Sequence, residues 1–291
     1  ELDFNHTMNE NIRAVDFASR SVKSIPIIST KVTGLMRFGL LERIQSAETL
    51  QREEISEYRN ALKRLDAICY HASKKNVSVF IDAEESWIQP AIDELALEMM
   101  RKFNAKNSII YNTAQLYRHD RLAYIRELFT IGQKENFLVG LKLVRGAYME
   151  KERRRAQEKG YVDPIQPDKE SSDRDFNLAL QFCVDHVEQI GICLGTHNEE
   201  SSLKLANTLA QKGIPLNHPH VYFAQLLGMS DHISYNLSKD GYNVAKYVPY
   251  GPVKEVVPYL IRRAEENTSV KGQTGRELSL IKKELQRRKL G

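Results

Sequence analysis

The chain has 291 residues, with 42 Lys+Arg against 38 Asp+Glu, 42% hydrophobic residues, 27% charged residues and three cysteines. A length and balance of this kind suit one large globular domain and argue against a disordered chain. The formal charge of +4, spread without a long one-sign block, supports no nucleic-acid partner.

Cys69, Cys183 and Cys193 are odd in number and form no Cys-x-x-Cys pair, so neither a disulfide framework nor a structural metal site is expected, and a reducing compartment fits. No apolar run approaches the roughly 20 residues of a membrane helix. The opening Glu-Leu-Asp-Phe-Asn-His-Thr resembles neither a signal nor a transit peptide and reads like the middle of a gene product.

Seven short, nearly continuous apolar runs follow in chain order: 25–31, 77–83, 108–112, 137–144, 190–195, 221–225 and 242–248. Most are rich in β-branched and aromatic residues, as expected of strands buried on both faces. Between them lie helical spacings. Ile92, Leu95, Met99 and Phe103 form one apolar face; Phe176, Leu180, Cys183, Val187 and Ile190 form another. Alternating strand and helix predicts a parallel sheet with crossovers. No linker interrupts it, so 1–291 reads as a single domain. No G-x-G-x-x-G and no Walker A sequence occurs, which favours a β/α barrel with one strand unaccounted for over an open doubly wound sheet.

Nearly every run ends in residues capable of chemistry: Lys31; Asp82 to Glu85; Asn112 and Gln115; Arg145-Gly146; Thr196-His197-Asn198; Gln225; Lys246-Tyr247. Polar residues follow any strand that runs into a loop. Seven in succession point instead to the carboxyl ends of barrel strands, where active sites lie. Further on, Arg262, Arg263 and Glu266 occupy neighbouring helical turns. Two adjacent guanidinium forks match a carboxylate or phosphate, although spacing alone favours a solvated helix face. His218-Pro219-His220 reads as a surface loop, 151–159 as an exposed helix, and 276–290 as a basic amphipathic helix that docks on the domain or touches a membrane surface.

Taken together, KLVRGAY at 142–148, THN at 196–198, YFAQLLGM at 222–229, KYVPYGP at 246–252 and YLIRRAEEN at 259–267 resemble the proline dehydrogenase family, with IDAEE at 81–85 and STKVTG at 29–34 in matching order. The resemblance covers almost the whole chain. It implies a (β/α)8 barrel, FAD held non-covalently, and oxidation of L-proline to Δ1-pyrroline-5-carboxylate with electrons passed to a quinone. It implies that Arg262 and Arg263 bind the substrate carboxylate, with Glu266 as their acidic partner. Lys31, Asp82, Tyr148 and Leu143 would line the substrate pocket. Tyr247 would pack on the proline ring, where relatives preferring hydroxyproline carry a small residue.

Asp82, Lys142, Lys31 and Tyr247 are thus the candidate catalytic residues. The cofactor contacts implied are Ala83, Gln115, Lys142, Val144, Arg145, Gly146, Ala147, Thr196, His197, Asn198, Gln225 and Leu226. Lys142 stands where many bacterial relatives carry an arginine near flavin N5. It keeps the charge but loses the fork. No metal is implied.

The family's barrel opens with a strand before its first helix. Residues 6–22 resemble that helix, so the first strand is expected to be missing or truncated, with Glu1–Phe4 as its stub and the family's N-terminal helical arm absent. An open seam would invite self-association and weaken FAD binding. Two alternatives accompany the leading expectation: a hydroxyproline or other cyclic imino acid dehydrogenase, and an inactive FAD-binding fragment. Without the resemblance, the residues describe only a β/α-barrel enzyme of unspecified chemistry. Expected partners are L-proline and a quinone, with peripheral membrane contact and homo-oligomerisation as further expectations. The expected location is cytoplasmic or membrane-peripheral in a bacterium, or the matrix side of a mitochondrion in a eukaryote.

Overall fold

A computed structural model gives the structure and describes residues 1–46, 49–249, 251–254, 256–257, 260–261 and 273–289. The chain divides into two compact units, Glu1–Lys246 and Tyr247–Gly291.

The first unit alternates strand and helix, as the apolar runs predict. Its strands are β1 (Ile27–Thr30), β2 (Ser78–Ile81), β3 (Ile110–Gln115), β4 (Val139–Val144), β5 (Ile190–Gly195) and β6 (Val221–Leu226); β7 (Val244–Tyr247) reaches the boundary between the units. The helices are α1 (Leu2–Ser19), α2 (Phe38–Gln45), α3 (Arg52–Lys74), α4 (Gln89–Phe103), α5 (Arg121–Glu135), α6 (Met149–Lys159), α7 (Lys169–Asp185), α8 (Glu199–Gln211) and α9 (Asp231–Lys239). In the second unit, α10 spans Gln273–Lys289. No described helix is long and apolar enough to cross a membrane.

The sheet runs β1 to β7 in sequence order, and the pairs from β1 through β6 are parallel. This is the strand order and alternation of a β/α barrel. Register carries Thr30 to Ile81, Ile81 to Asn112, Gln115 to Val144 and Gly195 to Ala224. The strand ends therefore assemble on one rim.

Alternation along each strand separates two faces. Val79, Ile81, Ile110, Leu141, Ile192, Leu194, Val221 and Phe223 join the large core formed with the helices. Phe80, Tyr111 and Cys193 form a separate cluster on the opposite face, with Ile27, Tyr222 and Ala224 packed against it. The Phe80 and Tyr111 rings lie 4.9 Å apart. The Tyr111 side chain fits because its neighbours on β4 and β5 are glycines. A Cβ on Gly140 would fall 2.2 Å from the Ile110 carbonyl oxygen, and one on Gly191 would fall 2.6 Å from Tyr111 Oη.

At the other rim, fully buried Asn104 pins the strand entries. Its amide donates to the carbonyls of Ile110 (2.8 Å) and Leu138 (2.9 Å) and accepts from the N–H groups of Ile109 (3.0 Å) and Ile110 (2.8 Å).

Three expectations require correction. The Glu1–Phe4 stub is no strand, since α1 already begins at Leu2. Asn112 and Gln115 lie within β3 rather than after it, because all six of its residues are buried and the polar ones find partners inside. The periodic run ending at Val187 and Ile190 outlasts its helix: α7 stops at Asp185, and Ile190 opens β5.

Candidate active site

Residues at the rim where the strands end form two lysine-centred groups. Lys31 follows β1 and caps the short 3-10 turn Val32–Gly34. Its ammonium donates to Tyr148 Oη at 2.9 Å and stands 3.9 Å from Glu84 Oε2. Glu84 is buried, and its carboxylate accepts from Thr33 Oγ1 (2.7 Å) and the Thr33 N–H (3.2 Å). Desolvation alone would lower the Lys31 pKa. The negative fields of Tyr148, Glu84 and Asp82 outweigh it and leave the lysine above its usual value. Desolvation raises the Glu84 carboxyl above the usual carboxylate range, against the pull of Lys31 and Thr33.

The second group is an ion pair between Lys142 on β4 and Asp82 just after β2. Their side chains are only 10% and 12% exposed. Lys142 Nζ also lies 5.4 Å over the Phe80 ring. The Asp82 N–H donates to the Thr30 carbonyl at 2.9 Å, so the β1–β2 ladder itself delivers the carboxylate.

Buried Gln115, at the end of β3, donates to the Glu84 carbonyl at 2.8 Å. The Glu84 N–H in turn donates to Gln89 Oε1 at 2.8 Å. Gln89 donates to Asp93 at 2.8 Å, and Asp93 accepts from Asn112 (2.8 Å) and Arg121 (2.6 Å). A buried polar network behind the rim therefore fixes the backbone of the 82–86 loop. Ala83 is buried within the same loop.

Beyond β4 the chain turns through Arg145 and Gly146. The Arg145 guanidinium donates to Asp173 (2.6 Å), Thr196 Oγ1 (3.0 Å) and Ser201 Oγ (3.0 Å), and lies 4.3 Å over the Phe176 ring. Three of its five N–H donors are used by these bonds. Gly146 has φ +143°, and a Cβ there would fall 2.3 Å from the Tyr117 ring. Only glycine fits this turn. Gly146 and Ala147 are exposed, and Val144 is half-buried.

Thr196 and Asn198 follow β5. Thr196 Oγ1 accepts from Arg145 and from the Asn198 N–H (3.1 Å), and the Asn198 side chain caps α8 by accepting from the Ser201 N–H at 2.9 Å. Arg145 is thus drawn to the positive end of α8, an arrangement that attracts anions. His197 Nδ1 lies 3.1 Å from Ser230 Oγ. Buried Gln225 donates to the Thr196 carbonyl (3.2 Å) and accepts from Ser234 Oγ (2.8 Å), while the next residue, Leu226, is half-buried.

The structure therefore brings Lys31, Asp82, Lys142 and Tyr148 to one rim, with Gln115, Arg145 and Thr196 beside them. It does not bring Leu143 there. That side chain is fully buried in the large core with Leu141 and Leu194, on the opposite face from Lys142. Arg262, Arg263 and Glu266 lie outside the described residues, and Tyr247 belongs to the second unit.

Sequence reasoning named Glu84 only within the 82–85 rim stretch, without its Lys31 pairing, and missed Ser86, Tyr117, Glu152, Asp173 and Ser230 as partners. The 151–159 stretch, read as an exposed helix, hides fully buried Glu152. No local pattern marks it, because its partner Ser86 lies 66 residues away in the chain. His218 and His220 stand 5.3 Å apart in the loop before β6, and among the described residues no His/Cys/Asp/Glu group could hold a metal ion. The three cysteines are buried. Desolvation pushes the Cys193 thiol up to about 12, as expected of a core residue rather than a nucleophile.

A family model described as proline dehydrogenase matches residues 1–276. The chain is 41% identical over 253 residues to proline dehydrogenase 1, mitochondrial, of Homo sapiens, covering 86% of this chain and 41% of that protein. It is 40% identical over 254 residues to hydroxyproline dehydrogenase of Xenopus laevis, covering 86% and 54%. It is 34% identical over 291 residues to carbapenem antibiotics biosynthesis protein CarD of Pectobacterium carotovorum subsp. carotovorum, covering 100% and 75%. The chain spans only 38–41% of the length of the mitochondrial proline dehydrogenases it matches in Drosophila melanogaster, Homo sapiens and Caenorhabditis elegans. Among solved structures, proline utilization A from Bdellovibrio bacteriovorus, inactivated by N-propargylglycine, superposes with a TM-score of 0.82 at 21% identity, covering 95% of this chain and 29% of that one. That likeness establishes the β/α-barrel fold.

Proposed function

The chain belongs to the proline dehydrogenase family, and from that membership we propose that it oxidises L-proline to Δ1-pyrroline-5-carboxylate with FAD as hydride acceptor and a quinone as final oxidant. The observation that carries the reading is the paired lysine groups at the strand-end rim, Lys31 with Tyr148 and Glu84, and Lys142 with Asp82. The family resemblance assigns Lys31, Asp82 and Tyr148 to the substrate pocket and Lys142 to the flavin, which supports the reading.

The residues present fit such a cofactor. Gly146 brings exposed backbone to the rim, in a turn no side chain tolerates. Arg145, anchored at the start of α8, retains two N–H donors for an anion such as a pyrophosphate. Lys142 supplies buried positive charge of the kind that stabilises an electron-rich ring. Val144, Ala147, Thr196, His197, Asn198, Gln115, Ala83, Gln225 and Leu226 complete the proposed trough. The bound flavin supplies the two-electron acceptor for the C5 hydride.

The chain's own groups do the rest. The family resemblance assigns the proline carboxylate to Arg262 and Arg263, with Glu266 as their acidic partner. The same resemblance assigns packing on the proline ring to Tyr247. Lys31, held above its usual pKa, is an ammonium at neutral pH. It therefore sets the field of the pocket with Tyr148 and does not take a proton from the substrate. The amine proton leaves to water, and loss of hydride from C5 forms the C=N bond. Leu143, buried on the opposite face, supports β4 and does not wall the pocket.

The test is dye-linked turnover of the FAD-loaded chain with L-proline against hydroxyproline. Turnover preferring L-proline is expected. A preference for hydroxyproline would move the chain to the other branch, and FAD retention with no turnover would leave a binding fragment.

A further inference from the structure

Glu152 sits fully buried on α6, a helix otherwise dominated by charged residues that face solvent. A carboxylate is retained at such a place only where hydrogen bonds replace its water. Here both oxygens are taken by one residue: the Ser86 N–H donates at 2.6 Å and Ser86 Oγ at 2.5 Å.

Ser86 closes the 82–86 loop, which carries Asp82 to Lys142 and Glu84 to Lys31 and Thr33. Glu152 lies one helical turn after Tyr148, and its own N–H donates to the Tyr148 carbonyl at 2.9 Å. Tyr148 in turn accepts from Lys31. Lys31 is therefore held from two sides, by Glu84 on the loop and by Tyr148 on the helix. The Ser86–Glu152 bonds join those two sides directly. A parallel tie, Lys151 to Glu85, involves a lysine side chain that is 56% exposed, and so counts for less.

We propose that Glu152 is a positioning residue for substrate binding. It sets the separation between the 82–86 loop and the first turn of α6, and through it the geometry in which Glu84 and Tyr148 present Lys31 to the substrate. This deepens the proline reading and rests on it. Glu152 does not touch the reacting atoms. Its loss is expected to weaken binding of a ligand whose fit depends on Lys31 and Tyr148, and to spare the chemical step once the ligand is seated.

The experiment compares the FAD-loaded protein with its Glu152→Gln, Glu152→Ala and Ser86→Ala variants. Three quantities are measured: kcat and KM for L-proline, bound FAD per chain, and the Kd of tetrahydrofuran-2-carboxylate by calorimetry. That acid is the ring isostere with oxygen in place of the N–H, and it cannot form the imine. Glu152→Ala removes both acceptors and is expected to raise KM and the isostere Kd together, by about tenfold or more, with kcat within about threefold and FAD content unchanged. Glu152→Gln keeps one acceptor oxygen and is expected to recover most of that loss. Ser86→Ala keeps the backbone donor and should fall between, and it carries the test if Glu152→Ala does not fold.

Wild-type KM and Kd in Glu152→Ala, or a fall in kcat and FAD content without a change in Kd, would overturn the proposal. No rescue by Gln would overturn it as well. A wild-type protein that neither binds the isostere nor turns over proline refutes the underlying proline reading instead. The two failures are therefore separable.

Discussion

Replacing Lys142 by methionine isolates the energetics of the buried pair at the centre of the site. Methionine keeps most of the aliphatic stem beside Phe80 and removes the ammonium, so Asp82 is left with a carboxylate in a place where its side chain is 12% exposed. Unit charges about 4 Å apart attract by about 4 kcal/mol at an effective dielectric of 20. Breaking a buried pair by removing one member costs about 3–5 kcal/mol. Lys31 lies close enough for its charge to interact with Asp82 and compensates in part, which places the expected cost of Lys142→Met near 3 kcal/mol. The double variant Asp82→Asn/Lys142→Met removes both charges and is expected to return to within about 1 kcal/mol of the parent. Urea unfolding followed by far-UV circular dichroism measures both, with an unchanged m-value as the check that only stability moved. A cost below about 1 kcal/mol for Lys142→Met, or no recovery in the double variant, would refute the reasoning.

Gly146→Ala is expected to lower stability by about 3 kcal/mol or more, since it adds backbone strain at φ +143° to overlap with Tyr117. In a Tyr117→Ala background the overlap disappears and the strain remains, so denaturant midpoints should show a smaller increment there; equal increments in both backgrounds would deny the contact. Asp120 is held down to about 2: burial works against this, and the hydrogen bonds and charges of Arg121 and Arg118 overcome it. Because its folded pKa is depressed, its stabilisation is present above the unfolded value near 3.8 and is lost as pH falls toward about 2. The side chain is 38% exposed, so screening reduces the contribution to roughly 1 kcal/mol. Asp120→Asn should therefore flatten the acid limb of a stability–pH curve, and an unchanged limb would count against the pairing. Tyr247→Ser should shift the ratio of kcat/KM values toward hydroxyproline by about tenfold; an unchanged ratio would remove Tyr247 from the specificity argument.

The central strands β2 to β5 were legible because they are buried on both faces and so appear as bare apolar runs. β5 was bounded to the residue, and β3 was cut short after Asn112 because its polar Thr113 and Gln115 resemble a loop. The rim was legible for a similar reason, since chemistry-bearing residues follow each run. Which face a residue takes was harder to read. Leu143 and Lys142 are neighbours in one motif, yet strand alternation sends them to opposite sides. The supporting shell was invisible, because its bonds join residues far apart in sequence, such as Ser86 to Glu152 and Arg145 to Ser201. A buried glutamate inside KERRRAQEK has no local signature; only the tertiary contact reveals it.

The most direct measurement is a single-turnover visible spectrum of the FAD-loaded chain, mixed anaerobically with L-proline. The account predicts that the flavin band bleaches on addition of L-proline, with one Δ1-pyrroline-5-carboxylate formed per flavin. A flavin band that persists at saturating L-proline would contradict the assignment of proline oxidation to this chain.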